Sequence, residues 1–454
     1  MSATTPERAN SRGLRRNQPT RGQAGFAFTV LLIINILNYA DRYVLSAVLP
    51  KVRTDLGLTP LQEGLLGSSF LLVYAIATLP LGVWADRSVR KNIVSACVGI
   101  WSIATIFVGL ARNFVQIFIM RSILGIGEAG YAPSSLSLLG DYFSKAHRGR
   151  ILSYWSMGTL LGAAVGFTLG GLVADMFGWR WAFYIVGLPG LICALLAWRM
   201  AEPARGAFES TGAEESAEVE AHEAEVHETE IHNHGGIGKD FWGTVKKLRT
   251  IPTYWVLVGA LVFSFFTIGG TSFWLPSYIF DTFHLTVGKA GLYSGIVLVT
   301  SGLVGTVVGG WLADTFQKRM PHGRLLVATL GLLIGAPLVL LALFIHSLGL
   351  FIFVFILAGI TLNFCTGPLN AVIQDVIAPE MRATAIGLSL LLAHLLGDAA
   401  SPFLIGALAG KISLGPAMTL TAPTCLFIAG VICLLGLRTV ATDMQRMKET
   451  ILKD

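Results

Sequence analysis

Charge is scarce in this sequence. Asp, Glu, Lys and Arg make up 13% of its 454 residues, where soluble domains carry about a quarter. Cysteine is sparse as well. Cys97, Cys193, Cys365, Cys425 and Cys433 all fall in apolar stretches and none has CxxC spacing, which excludes a disulfide or metal framework. No GxxxxGK[ST] loop, no HExxH and no nucleophile–base pair is found. These absences argue against an enzyme and call for no cofactor and no metal. Energy for any work must come from an ion gradient or from the substrate's own gradient.

What fills the chain instead is apolar sequence, 54% of all residues, in blocks longer than the roughly 20 residues that cross a bilayer. Twelve spans are predicted, and they leave little room for a soluble domain. The apolar run from Phe26 to Leu49 is too long for a signal-peptide core and no small-x-small site follows it. Residues 1–25, with Arg8, Arg12, Arg15, Arg16 and Arg21, therefore read as a retained basic tail. Residues 26–201 and 251–437 each hold six spans, residues 202–250 form a linker and 438–454 a tail.

Basic residues in short loops set the orientation. Arg87, Arg90 and Lys91, then Lys145, Arg148 and Arg150, then Lys318, Arg319 and Arg324 all fall on one side of the predicted spans. Both termini are expected in the cytoplasm, as in a multi-pass protein of a bacterial-type inner membrane. The net charge of +6 is not a nucleic-acid signal. Residues 205–240 hold ten of the 27 acids and two of the 33 bases, so the rest keeps 31 bases against 17 acids, or +14. Much of that charge is expected at the cytoplasmic rim, against anionic lipid. The acidic linker reads as solvated chain, and its His222, His227, His232 and His234 are weak evidence for a metal.

The halves read as repeats. A shift of 234 residues lays Gly125-Ile126 on Gly359-Ile360, Asp141 on Asp375 and Arg148 on Arg382. A shift of 228 lays GVWAD (Gly82–Asp86) on GWLAD (Gly310–Asp314). Such repeats imply a pseudo-two-fold axis along the membrane normal and a central cavity opened alternately to each side. GVWADRSVRK resembles the glycine-x-x-x-aspartate-arginine signature between spans two and three of the major facilitator superfamily. The fold class this implies is all-α, with twelve transmembrane helices in two pseudo-symmetric six-helix bundles. Gly82, Asp86, Arg87, Arg148 and Asp314 are then gating candidates: Gly82 for close helix packing, Asp86 as a helix cap with Arg148 as its partner. Span five adds Gly158, Gly162, Gly166 and Gly170, a ladder that reads as a packing seam.

Ionisable side chains at membrane depth cost several kcal/mol unless a partner or a cavity receives them. Span one carries Asn35, Asn38 and Arg42 on one stripe, with Asp41 about sixty degrees from Asn38. Span four carries Arg121 and Glu128 seven residues apart, with Tyr131 following. The resemblance implies that spans one, four, seven and ten line the cavity, so these pairs should meet water and substrate. Protonating a carboxylate changes which partner an arginine prefers, which biases one conformation over another. Asp41 and then Glu128 are the expected proton carriers. Arg42, Arg121, Asn38, Tyr131 and Asn363 are the expected substrate contacts. His394 and Asp398, four apart in span eleven, join the candidates through a hydrogen bond along the helix.

The second half offers no charge where Glu128 and Arg121 fall on Leu362 and Phe355. Span seven, FSFFTIGGTSFW, reads as aromatic and neutral, and span ten adds Asn363, Thr366, Asn370 and Gln374. A cavity charged on one side and mainly apolar on the other suits an amphiphile. NYADRYVLSAVLP and RSILGIGEAGYAPSSLSLLGDYF resemble the spinster branch of the superfamily. That resemblance implies a monomeric, proton-linked transporter of lysolipid- or sphingolipid-like molecules, with Asp41, Arg42, Arg121 and Glu128 as coupling and head-group residues. Its expected partners are the bilayer, protons and a small amphiphilic substrate. The alternative is a proton-coupled symporter of a small organic anion, related to carriers that share the Y-x-D-R and E-A-G elements.

Overall fold

In a computed structural model, the chain is described over residues 19–207 and 237–451. The linker histidines lie outside the described residues. Among those residues there are helices and connections and no strand. Eleven helices are long and apolar enough to cross a membrane. The twelfth span, span four, is broken into Phe114–Ala129 and Tyr131–Tyr142 at Gly130. Span ten breaks at the repeat-related place, into Leu348–Leu362 and Thr366–Val376. Span eleven runs from Arg382–Leu392 through a π-helical turn, Ala393–Asp398, into Ser401–Ile412.

Span one is Arg21–Leu56, so the helix starts inside the segment read as tail. The cause is a capping box at its start: Gln23 N–H donates to Thr20 Oγ1 while the Thr20 N–H donates to the Gln23 side chain. Gly57, at φ 62°, stops it. Thr59 and Gln62 repeat the capping device for span two, Pro60–Arg87.

Each half is a six-span bundle. In the first, span one lies on span five, Lys145–Phe177, along the glycine ladder. A Cβ at Gly162 would come 2.4 Å from the Ile36 carbonyl oxygen, and one at Gly166 2.4 Å from that of Ala40. The halves meet along spans five and eight (Val287–Gln317) and spans two and eleven. The glycines on these seams place the approach at the rim opposite the termini. A Cβ on Gly171 would meet the Val287 carbonyl at 2.7 Å, one on Gly64 the Pro402 carbonyl at 2.2 Å. The same rim carries the bidentate pair of Arg53 in span one with Asp281, 2.7 and 3.1 Å, at the end of span seven, Pro252–Phe283. Span seven thus carries a charge that the sequence reading did not assign to it.

The gating candidates sit on the side of the termini. Gly82 does not serve the close packing expected of it, since a Cβ there would meet nothing within 4 Å. The Asp86 side chain lies outside the described residues, Arg87 is exposed, and Arg148 donates from Nη2 to the Gly140 carbonyl at 2.7 Å. The built cluster here is centred on Arg90, the first residue of span three, Arg90–Leu110. Its guanidinium is buried, donating to Asp141, to Glu202 Oε1 at 2.8 Å, to Ser137 Oγ at 3.0 Å and to the Pro203 carbonyl at 3.0 Å. The second half has the counterpart 234 residues on: Arg324 donates to Asp375 at 2.9 Å and to Asp314 at 3.2 Å.

Candidate functional site

The break in span four explains the site's position. Helix Phe114–Ala129 ends just after Glu128, deep in the first bundle and facing span one. The Glu128 side chain is fully buried, and Arg42 Nε donates to its Oε2 at 2.6 Å. Asn38, one turn before Arg42 and 2% exposed, lies beside the same carboxylate. The Arg42 guanidinium is walled by rings, 4.5 Å from the Tyr74 centroid, 4.8 Å from Tyr39 and 5.4 Å from Phe70. Arg121 stacks over Phe70 at 4.7 Å, and its Nε and Nη1 make no hydrogen bond. Cation–π contacts of this kind hold a guanidinium while leaving its N–H groups free for a ligand.

Asp41 does not share the cavity-facing stripe expected of it. It is wholly buried and points into the first bundle, where the Thr105 hydroxyl of span three contacts its Oδ2 and its Oδ1 has no partner. Geometry gives the reason: residues one apart on a helix are turned by about 100°, so Arg42 at the cavity sends Asp41 toward span three. Tyr131 also differs from its expected place. It is 1% exposed, donates to the Leu31 carbonyl at 2.6 Å and receives the Trp155 Nε1–H at 3.3 Å, and it ties spans one, four and five together.

Two cavities adjoin between the halves. The first is lined by Tyr39, Arg42, Ser46, Phe70, Arg121 and Asp398, with Tyr43, Ile268 and Ser272. The second shares Tyr43, Ile268 and Ser272 and continues along Val297, Leu298, Val339, Phe355, Ala358 and Leu362 of the second half. Thr267, Thr271 and Asn363 also line it, but Asn363 Nδ2 donates to its own helix, to the Gly359 carbonyl at 2.8 Å. The Leu362 and Phe355 that replace Glu128 and Arg121 in the repeat are thus the apolar wall itself.

The π-turn of span eleven brings Asp398 to the charged cavity. The Ala399 amide donates to the His394 carbonyl five residues back at 2.9 Å, the extra residue of such a turn. His394 Nδ1 lies 2.8 Å from Asp398 Oδ2, and the imidazole meets Phe265 edge-on. Sequence spacing found this pair but not its direction. What it missed outright are the ring walls of Arg42, the Thr105 contact, the Arg53–Asp281 pair and the buried role of Arg90. The 234-residue shift relates Arg90 to Arg324, a signal present in the sequence.

Comparison with known proteins agrees with this architecture. The Major Facilitator Superfamily profile matches residues 31–402. Protein spinster of Drosophila melanogaster is 27% identical over 422 residues, 90% of this chain and 65% of that protein, so the chain spans just under two thirds of that relative's length. Human protein spinster homolog 1 is 26% identical over 431 residues, 90% of this chain and 77% of that protein. Among solved structures, a bacterial homologue of the human lysosomal transporter Spinster, inward-facing and unoccupied, superposes with a TM-score of 0.75 at 23% identity. It covers 95% of this chain and 99% of that one. The nucleoside transporter NupG shares the fold, with a TM-score of 0.68 at 13% identity over 90% and 99% of the two chains. The chain belongs to the major facilitator superfamily, related to its spinster proteins, as an integral multi-pass membrane transporter and not an enzyme.

Proposed function

We propose that this transporter couples protons to the movement of an amphiphile, a lysolipid- or sphingolipid-like molecule with an anionic or zwitterionic head, by alternating access. One observation carries the reading: a charged cavity walled by Arg42 and Arg121 adjoins an apolar cavity, the two sharing Tyr43, Ile268 and Ser272 in their walls. Head and tail of one amphiphile fit that sequence of environments. A small organic anion would leave the apolar wall without a use.

Proton coupling is supported by how the carboxylates are held. Thr105 Oγ1 reaches both the Trp101 carbonyl, at 2.9 Å, and Asp41 Oδ2. A hydroxyl has one proton to donate. When it goes to Trp101, a proton on Asp41 completes the second bond, which suits a neutral carboxyl with no basic partner. Glu128 instead is held ionised by Arg42. Moving a proton between these two acids frees Arg42, and the freed guanidinium takes a phosphate or carboxylate in two contacts. The termini are assigned to the cytoplasm, the protein acts as a monomer, and Asp41 is the first proton carrier, with Glu128 second.

The test is flux in proteoliposomes under an imposed pH gradient, with a lysophospholipid compared against small carboxylates. Lysophospholipid flux should follow the gradient and should lose that dependence in Asp41→Asn, while the variant elutes as folded protein. Saturable flux of the small carboxylates alone rejects the amphiphile, and an unchanged gradient dependence in Asp41→Asn rejects the proton assignment.

A further inference from the structure

Two charged groups of the central cavity are left without a complement by the rest of the fold. On the first-half wall, Arg121 is 2% exposed and keeps Nε and Nη1 unbonded. From the second half comes Asp398, whose side chain is 15% exposed. One of its oxygens takes His394, and the other, Oδ1, is buried and unbonded. Both residues line the same cavity. Among the described residues, no arginine or lysine pairs with Asp398, and His394 Nδ1 lies within hydrogen-bond distance of its Oδ2.

The surroundings of Asp398 are those of an organic cation site. Tyr43 and Phe273, which neither cavity arginine stacks on, line the cavity with it, and aromatic rings beside a carboxylate attract ammonium groups. The carboxylate is also fixed in place. Span seven packs so closely on it that a Cβ at Gly269 would lie 2.4 Å from the Asp398 Cβ. The charge balance points the same way. Glu128 neutralises Arg42, which leaves Arg121 and Asp398 as the opposed charges that line the cavity without an ionic partner. An anionic head on Arg121 leaves Asp398 uncompensated, at the high energy of buried unpaired charge. A zwitterionic head answers both.

We propose that Asp398 binds the cationic centre of a zwitterionic head group whose anionic part lies on Arg121, and so determines which amphiphiles the cavity accepts. The proposal rests on the amphiphile reading above and narrows it. His394 is a positioning residue here, holding one carboxylate oxygen so that the other faces the ligand.

The experiment uses two lysolipids with the same acyl chain and phosphodiester: lysophosphatidylcholine, whose head carries a cation, and lysophosphatidylglycerol, whose head does not. Flux of both is followed in proteoliposomes for the wild type, Asp398→Asn and Asp398→Glu. The wild type should prefer the choline lipid. Asp398→Asn, which keeps the shape and a hydrogen bond to His394, should lose about tenfold or more on the choline lipid and leave the glycerol lipid within about twofold. Asp398→Glu should keep part of the preference. Equal loss on both lipids, or no wild-type preference, overturns the proposal, and the wild-type comparison holds even if a variant fails to fold. If the wild type moves neither lysolipid, the amphiphile reading fails by itself. The two-charge site is then read by thermal stabilisation with phosphocholine against glycerol 1-phosphate. Greater stabilisation by phosphocholine, lost in Asp398→Asn, upholds it, and equal stabilisation by the two refutes it.

Discussion

Replacing Arg90 and Arg324 by alanine makes the same chemical change at positions 234 residues apart in the two repeats, yet the structure assigns the two changes different costs. Arg90 is 2% exposed, with Asp141 at 12% and Glu202 at 25% beside it. Arg324 is 28% exposed, between Asp375 at 28% and Asp314 at 66%. Removing one partner of a buried pair leaves an uncompensated charge and costs about 3–5 kcal/mol. A pair open to water is worth about 0–1 kcal/mol. Arg90→Ala should therefore lose about 3 kcal/mol more than Arg324→Ala, a factor of more than a hundred in the folded-to-unfolded ratio at about 1.4 kcal/mol per tenfold. The assay is equilibrium unfolding of both purified variants in mixed micelles of rising dodecyl sulfate content. Adding Asp141→Leu to Arg90→Met should recover part of the loss, because the more buried of the two orphaned carboxylates goes with its partner while Glu202 stays. Equal losses at the two positions would refute the reasoning, since burial and the two further acceptors of Arg90, Ser137 and the Pro203 carbonyl, both separate them.

Two further outcomes follow from the packing. Gly166→Leu should destabilise by about 1–3 kcal/mol through overpacking against the Ala40 carbonyl, whereas Gly82→Leu, with open space around its Cβ, should melt within about 0.5 kcal/mol of the wild type. At the rim away from the termini, Asp281→Asn weakens the pair that joins the halves there. Both partners are about a third exposed, so the loss is at most about 1 kcal/mol. It should still raise the fraction open on that side severalfold, read as faster labelling of a single cysteine placed at Ser46 in the cavity.

The legible parts of this protein are those written in local pattern. Apolar run length locates the spans, and the 234-residue shift predicts the two-bundle fold but not the paired breaks at Gly130 and Asn363–Cys365, although they fall at repeat-related places. That spans one and four meet is what the family resemblance implied, and the Arg42–Glu128 pair joins them. Helical spacing put Asn38 and Arg42 on one stripe of span one and Arg121 and Glu128 on one face of span four. It failed for Asp41, since which face of span one turns to the cavity depends on span three and Thr105, contacts between helices that spacing within one helix does not encode. It failed for Tyr131 for the same reason: a tyrosine next to a charged stripe is indistinguishable, in sequence, from one that bonds the Leu31 carbonyl. Gly82 shows the converse. The motif that names the family marks a glycine whose Cβ position is open in this conformation, so its place in the motif says little about packing here.

Span one connects the central charges to the rim. Arg42 and Arg53 are eleven residues apart, about three turns and 16 Å along the axis, within roughly 20° of the same face. Arg42 answers to Glu128 inside the first half, and Arg53 to Asp281 across the divide. The Arg42–Glu128 pair does not itself join the halves, so its breaking has to be felt at the rim through the body of this helix or through a ligand lying between Arg121 and Asp398. Pro50 stands between the two arginines and gives up one backbone hydrogen bond. The glycine seam behind it, Gly158 to Gly170, holds span one against span five in close backbone contact. Under the proposed function, a proton at Asp41 or Glu128 and a head group at Arg121 would act on one lever, and that shared lever would couple them.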